Sequence, residues 1–528
     1  MLDASGPASP PAPSGRRTLI AAALVALYGL CIWFDLPPAA GTRYLPTDPV
    51  AWWDRVQALR GWSVYPQGWA WPLIPPAPPE RWLVLLAAGL LGAAVLWWAR
   101  DPGHRTLLAL AALVVLGYAG QLGALWLKHP NANQLLYDRI TNRSFTGYFT
   151  TAIQTTDPAR FFVGYADALA VKDPATRLCG HCRTHPPGPI LFYWLPLQAA
   201  LALSPAVQTD LRQSLVLLTG ITPGDYTPPQ TIVALAAAHA ILLGAALLVV
   251  PLYGLARRLA GPPHALPLAA LGLVLPGVLL MAPEFDQVFG TLVAALLYLC
   301  LRGLASPERA GWWGLVTGAL LALCLYWSFG LWLLVVPLGA LTLMAAPGGL
   351  RLWRQPDAAP VPPLPLRSIA AWVAGGTAGT LLPWLLLWGL GRFDLPRVLA
   401  LTSRAHLEGI TVLRPNEPWL LFNLTDFLQF AGLPLVVVTL LTLLQWRRGA
   451  RPVVNLYGLL FWGLVLLLDL SGTTRAEVGR LWIFLLPLAL LAVYHAVGRG
   501  RLGAGHIGGL LAAQFAVCLL IGSRWMTP

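Results

Sequence analysis

Charge is what this 528-residue sequence has least of. Asp, Glu, Lys and Arg together make up 11% of it, against about 25% in a soluble domain. That shortage excludes a water-soluble enzyme, a disordered tail and a nucleic-acid-binding domain. Six cysteines in a chain of this length exclude a scaffold built on disulfides. There is no Walker loop and no dinucleotide fingerprint, so ATP-driven transport has no support. What is present is apolar: 57% of the residues are hydrophobic, and the mean hydropathy is +0.64. Twenty-four Trp, 51 Gly and 48 Pro suit a polytopic membrane protein, where Trp gathers at the interfaces and Gly and Pro are tolerated in helices.

A bilayer core about 30 Å thick takes roughly 20 apolar residues per helix. Thirteen such runs follow along the chain, at 18–34, 82–99, 106–126, 229–254, 265–282, 288–304, 311–327, 331–347, 368–389, 429–445, 454–471, 480–496 and 506–523. The expected fold is therefore an all-α polytopic membrane protein with about 13 transmembrane helices. A further apolar stretch, 187–204, contains Pro187, Pro189 and Pro196, which suits a broken interfacial helix better than a span. The first run is not read as a signal peptide, because Phe34-Asp35-Leu36-Pro37-Pro38 offers no small-residue cleavage site.

Basic residues set the orientation. With residues 1–17 placed in the cytoplasm as a disordered segment, 16 of the 35 Lys and Arg flank the inner ends, among them Arg100, Arg105, Arg257 and Arg258. Only 4 of the 22 acids lie there, so the inner side nets +12 and the outer side +1. The overall +13 is thus a topology signal for a multi-pass plasma (inner) membrane protein rather than a polyanion site. The long aqueous segments, 35–81, 127–228 and 390–428, fall outside. None is large enough for a catalytic domain with its own core, which directs the chemistry to the external or periplasmic membrane surface.

Four places there carry candidate chemistry. Asp138, about a dozen residues beyond the third run, lies at headgroup depth and suits a general base or a sugar-hydroxyl acceptor. Tyr148 follows in the same loop. His185-Pro186-Pro187-Gly188-Pro189 opens the interfacial helix, and its His suits contact with a phosphate or headgroup. Glu284 and Asp286 sit two residues apart in a very short external turn, where acids face water, a cation or a substrate, or cap the next helix. Arg475, Glu477 and Arg480 enter the twelfth run from outside, and the arginines suit bidentate phosphate binding. Arg414 joins them from the 390–428 loop. Cys179-Gly180-His181-Cys182-Arg183 lacks the His that haem attachment needs directly after the second Cys. A local disulfide or two external thiols is the reading preferred there over zinc.

Taken in order, these stretches resemble the integral-membrane glycosyltransferases of the GT-C fold, the group of protein O-mannosyltransferases and aminoarabinose transferases. The shared order is an external loop with an early acid (Asp138), a His-Pro-Pro motif (His185 to Pro187), Leu255-Ala256-Arg257-Arg258-Leu259, then a short acidic turn (Glu284 to Asp286). It covers residues 106–304 best. Two runs precede that core at 18–105, and a transmembrane bundle follows at 305–528. The resemblance implies a polyprenyl-phosphate-linked sugar donor, a lipid, glycan or protein acceptor, catalysis by Asp138 with Glu284 or Asp286, and phosphate binding by Arg475 and Arg480. It implies no nucleotide and no obligate cofactor, a divalent cation being left open. This chain has Asp138-Arg139 where family members commonly carry two acids. The rival readings are a polysaccharide polymerase or ligase using polyprenyl-diphosphate glycans, and a secondary transporter or lipid flippase.

Overall fold

The computed structural model describes residues 15–34, 77–100, 103, 105–143, 145–173, 177–346, 364–411, 416–445, 453–475 and 477–524. Their regular structure is helical, apart from a two-residue antiparallel ladder pairing Leu444 with Val454 and Gln445 with Val453. Among the described residues, eight helices are long and apolar enough to cross a membrane: Pro79–Trp98, Arg105–Lys128, Pro228–Leu259, Phe285–Leu304, Pro307–Trp327, Leu366–Gly389, Val478–Gly498 and Ala504–Arg524. The number rises to ten if each of two sharply bent pairs is one span.

The remaining apolar runs take shorter or broken forms. The 265–282 run divides into Pro262–Ala270, a 3-10 turn Leu271–Val274 and Pro276–Leu280; the last break falls at Pro276, which lacks a backbone donor. The 429–445 run belongs to a pair, Trp419–Ala431 and Leu433–Leu443, bent by 102° at Gly432, whose φ is +85°. The 187–204 stretch is the helix Gly188–Leu201, which turns by 120° into Pro205–Thr219. It forms no straight span, as its prolines suggest.

Packing ranks these helices from centre to edge. Val478–Gly498 is the central one, with 83% of its apolar window buried, and Pro79–Trp98 the most peripheral at 6%. Peripheral faces carry exposed Leu83, Leu90, Leu107, Leu217 and Leu218, as expected of helices that meet lipid rather than water. Ala310–Trp327 and Leu366–Gly389 lie against each other along Gly314, Gly318, Gly375 and Gly379. A Cβ at any of the four would strike a backbone carbonyl of the facing helix, so only a glycine stripe allows this approach.

A layer of short helices covers one end of the bundle. Ala132–Thr141, Tyr148–Gln154, Tyr165–Ala170, Gly180–Thr184 and Leu395–His406 belong to it. The Arg397–Asp167 ion pair at 2.7 Å ties Leu395–His406 to Tyr165–Ala170. The candidate site lies beneath this layer.

Candidate functional site at one end of the bundle

The floor of the site begins where Phe285–Leu304 starts. Glu284 is its N-cap residue, in extended backbone, and forms a capping box with Gln287: each side chain bonds the other's backbone N–H. Such a box satisfies two helix-end donors at once. Gln287 also donates to the Val278 carbonyl at 2.5 Å and to Gln121 Oε1 at 3.2 Å. The acidic turn is thus anchored to two neighbouring elements.

Arg480 reaches this floor from the short helix Val478–Leu481. The Asn416–Ala431 helix holds that segment in place. Asp426 accepts the Gly479 N–H at 2.8 Å, and Asn423 donates to the Thr474 carbonyl at 2.9 Å. Arg480 Nη1 then donates to Glu284 Oε1 at 2.6 Å and Nη2 to Glu477 Oε2 at 2.7 Å, while Nε lies 3.6 Å from Asp286 Oδ2. Side-chain exposure is 6% for Arg480, 3% for Glu284, 15% for Asp286 and 37% for Glu477. Glu477 has φ of 58°, a left-handed conformation that a non-glycine residue adopts at a cost of about 1–3 kcal/mol and that clusters at functional sites.

The wall is built by the segment that follows the Arg105–Lys128 helix. Gly147, at φ +74°, turns the chain so that Tyr148 begins the next helix facing inward. The Cys179–Cys182 disulfide packs on that turn, and a Cβ on Gly147 would come within 2.6 Å of Cys179 Cβ. The bridge thereby holds His181 and His185 beside Tyr148, with ring centroids 6.4 and 5.9 Å away. Tyr165 donates its hydroxyl towards the Cys182 and His185 carbonyls, both at 2.8 Å. Gly188 meets the Tyr326 carbonyl so closely that a Cβ would collide. This explains the glycine in the His-Pro-Pro-Gly-Pro motif. Phe285 closes the apolar side, 4.8 Å from Trp327 and 5.0 Å from Phe192 between ring centroids.

Thr146, Tyr148, His181, His185, Glu284, Asp286 and Arg480 converge on one cavity of about 30 Å³, room for a water molecule at the roughly 10–15 Å³ one requires. Burial pushes the Glu284 carboxyl up to about 7, with Arg480 opposing the rise and Asp286 adding to it. Burial pulls His185 down to about 3, helped by His181 and Arg480, and lowers His181 as well. His185 is therefore a neutral imidazole at pH 7. Its Nδ1 lies 3.0 Å from the His181 carbonyl, which can only accept, so Nδ1 bears the hydrogen and Nε2 keeps its lone pair. Burial pushes the Tyr148 hydroxyl upward, and Asp286 adds to that rise.

The expected site residues divide. Glu284, Asp286, Tyr148, His185 and Arg480 meet at the cavity, and Glu477 joins them through Arg480. Asp138 does not line it: its carboxylate is exposed and accepts from Gln134 Nε2 at 2.7 Å. The neighbouring Arg139 is the residue turned inward. It donates to the Ala282 carbonyl, and burial pulls it down to about 10 against the opposing pull of Glu284. Arg475 also stays off the cavity lining and donates from Nε to the Gly472 carbonyl at 2.9 Å. Arg414 lies outside the described residues. His181 lines the cavity and is not among the sequence candidates. The two cysteines flanking His181 were the available signal, since a local bridge fixes the residue it encloses.

Among the described residues, no three His, Cys, Asp or Glu side chains gather in an arrangement that could hold a metal ion; the three acids turn instead to Arg480. What the arrangement offers is a carboxylate, Asp286, close to a buried guanidinium, beside a neutral imidazole acceptor and aromatic faces. No family model matches this chain, and no curated protein matches it.

Proposed function

We propose that the protein is an integral-membrane glycosyltransferase with a GT-C-like bundle of about thirteen crossings. In this reading it moves a sugar from a polyprenyl-phosphate donor to an acceptor hydroxyl on a lipid, glycan or protein at the external face. The observation that carries the reading is the Asp286–Arg480–Glu284 cluster, buried at the mouth of an apolar bundle beneath a proline-opened helix. It pairs a proton acceptor with a cation suited to a departing phosphate.

The acceptor oxygen attacks the anomeric carbon as the bond from that carbon to the phosphate oxygen breaks. The acceptor's proton passes to Asp286, which Arg480 holds only loosely at 3.6 Å. Arg480 neutralises the charge that develops on the departing polyprenyl phosphate, an electrostatic stabilisation that is strongest where water is excluded. Glu284 positions Arg480 and takes no proton from substrate. His185 Nε2 accepts a hydrogen bond from a sugar hydroxyl, and Tyr148, Phe285 and Trp327 supply apolar faces. Glu477, the most exposed and the strained member, releases Arg480 Nη2 to the donor phosphate and widens the cavity for the sugar. Asp138 has no part in this chemistry.

The test is transfer by purified, reconstituted protein across a panel of radiolabelled polyprenyl-phosphate sugars. The reading expects transfer by the wild type, none by Asp286→Asn and near-normal transfer by Asp138→Asn. No transfer from any donor, or full activity in Asp286→Asn, overturns it.

A further inference from the structure

At the opposite end of the bundle lies a second and much larger cavity. It measures about 860 Å³, towards the top of the roughly 300–1,000 Å³ range of ligand pockets. Its walls are the Pro79–Trp98, Arg105–Lys128, Pro262–Ala270 and Ala504–Arg524 helices. Almost all of its lining is apolar. The polar groups gather at one pole, where Arg100, Thr106 and His264 stand, and among the described residues no acid lines the cavity.

Glycines explain why the cleft exists and which way it opens. Near the middle of the bundle the Pro79–Trp98 helix is pinned to its neighbours. A Cβ on Gly123 would lie 2.8 Å from Leu85, and one on Gly89 would lie 2.9 Å from Phe515. Further along, Gly92 and Gly508 would meet nothing within 4 Å. The helices are therefore closed at Leu85 and Gly89 and splay apart towards Arg100. At 1.5 Å per residue, Leu85 to Arg100 spans about 22 Å. One leaflet with its headgroups is about 20–22 Å deep, half of a 40–45 Å bilayer. The open pole also carries interfacial features: Arg100 lies over the Trp97 ring at 5.5 Å and Arg105 over Trp98 at 5.4 Å.

We propose that this cleft is a binding site for one two-chain phospholipid with an anionic headgroup, drawn from the leaflet at the basic end. The acyl chains fill the wedge between Gly92 and Gly508, and the phosphate lies at Arg100. A ligand of one leaflet's length fits between the closed and open poles, whereas a much longer polyprenyl chain overruns the closed one. Charge selects the headgroup, because among the described lining residues Arg100 stands at the mouth and no acid does. This site is independent of the transferase reading, lies at the other end of the bundle and requires no chemistry.

The experiment counts bound lipid by native mass spectrometry after reconstitution in equal phosphatidylglycerol and phosphatidylcholine. Wild type retains one lipid per chain, with phosphatidylglycerol favoured about fivefold, the factor equivalent to about 1 kcal/mol for one basic side chain at a surface. Gly92→Trp with Gly508→Trp fills open space and abolishes retention, with helix content by circular dichroism unchanged. Arg100→Gln keeps a lipid and loses the headgroup preference, which decides the matter even if the double variant does not fold. Equal retention by the double variant, no headgroup preference in wild type, or recovery of polyprenyl phosphate from the cleft overturns the proposal.

Discussion

Arg480 donates to Glu284 at 2.6 Å across 196 positions of sequence, with side-chain exposures of 6% and 3%. A pair so far from water is held by mutual compensation, because each charge alone would carry an unmet desolvation penalty. Asp286 and Glu477 make the cation's company predominantly acidic. Removing Arg480 therefore strands two buried carboxyls rather than merely deleting a contact.

Arg480→Met is expected to destabilise the protein by about 3–5 kcal/mol, the usual cost of breaking a buried pair from one side. Thermal unfolding in detergent reads it as a lowered midpoint. Adding Glu284→Gln to Arg480→Met recovers part of that loss, since the double variant no longer buries that unpaired charge. A midpoint unmoved by Arg480→Met contradicts the assignment.

Glu477→Gly separates strain from chemistry. Glycine takes a φ of 58° without penalty, so the change relieves about 1–3 kcal/mol while giving up an ion pair whose acid is 37% exposed. The expected result is an unfolding midpoint equal to or above wild type, together with reduced sugar transfer. A large fall in the midpoint shows instead that the ion pair, not the strain, dominates at this residue.

The pH dependence has two opposing parts. Glu284 rises from 4.5 to about 7 on folding, so the folded state binds its proton more tightly than the unfolded chain does. Its contribution is complete below about 4.5 and is lost as pH rises through about 7. His185 falls from 6.5 to about 3, so its contribution is complete above about 6.5 and is lost as pH falls towards 3. The two slopes oppose each other between 4.5 and 6.5, so the Glu284 loss stands uncompensated by His185 between 6.5 and about 7 and the His185 loss uncompensated by Glu284 below 4.5. Glu284→Gln removes the decline between pH 6.5 and about 7 in melting curves; persistence of that decline assigns it to another group.

The Cys179–Cys182 bridge gives a chemical prediction. Mass spectrometry of the unreduced protein, denatured and alkylated, finds no label at 179 or 182, and reduction first adds two. Replacing both by Ser costs about 2 kcal/mol by the chain-entropy relation for so short a loop and loosens the turn that carries His181. Gly147→Ala tests the same contact from the other side, because its Cβ meets Cys179 at a φ of +74°. Wild-type stability in Gly147→Ala argues that the turn and the bridge are not packed as described.

Much of the helical layout was readable because its causes are local. A long apolar run must satisfy its own backbone groups in lipid, and a helix does so within the segment. Proline content likewise announced that 187–204 is no simple span. The site was only partly readable. Glu284 and Asp286 stood out because two acids in a short turn beside an apolar run need a partner, but nothing local named Arg480. Asp138 and Arg139 illustrate the difficulty at its smallest scale. Adjacent residues on a helix point about 100° apart, the angle set by 3.6 residues per turn, so the inward one is decided by the face that packs. In Ala132–Thr141 the buried face holds Leu136, Tyr137, Arg139 and Ile140, and Asp138 looks out.

Scarcity of charge and long apolar runs were enough by themselves to determine a helical, membrane-type chain. Those properties depend on composition within windows of about twenty residues. The tertiary structure alone decided that the 146–148 turn, the 179–188 segment, the 284–286 turn and Arg480 share one cavity. It also decided that glycines at 92 and 508 leave a lipid-length cleft. Both outcomes arise from how closely helices approach one another, and that distance depends on side chains hundreds of residues apart.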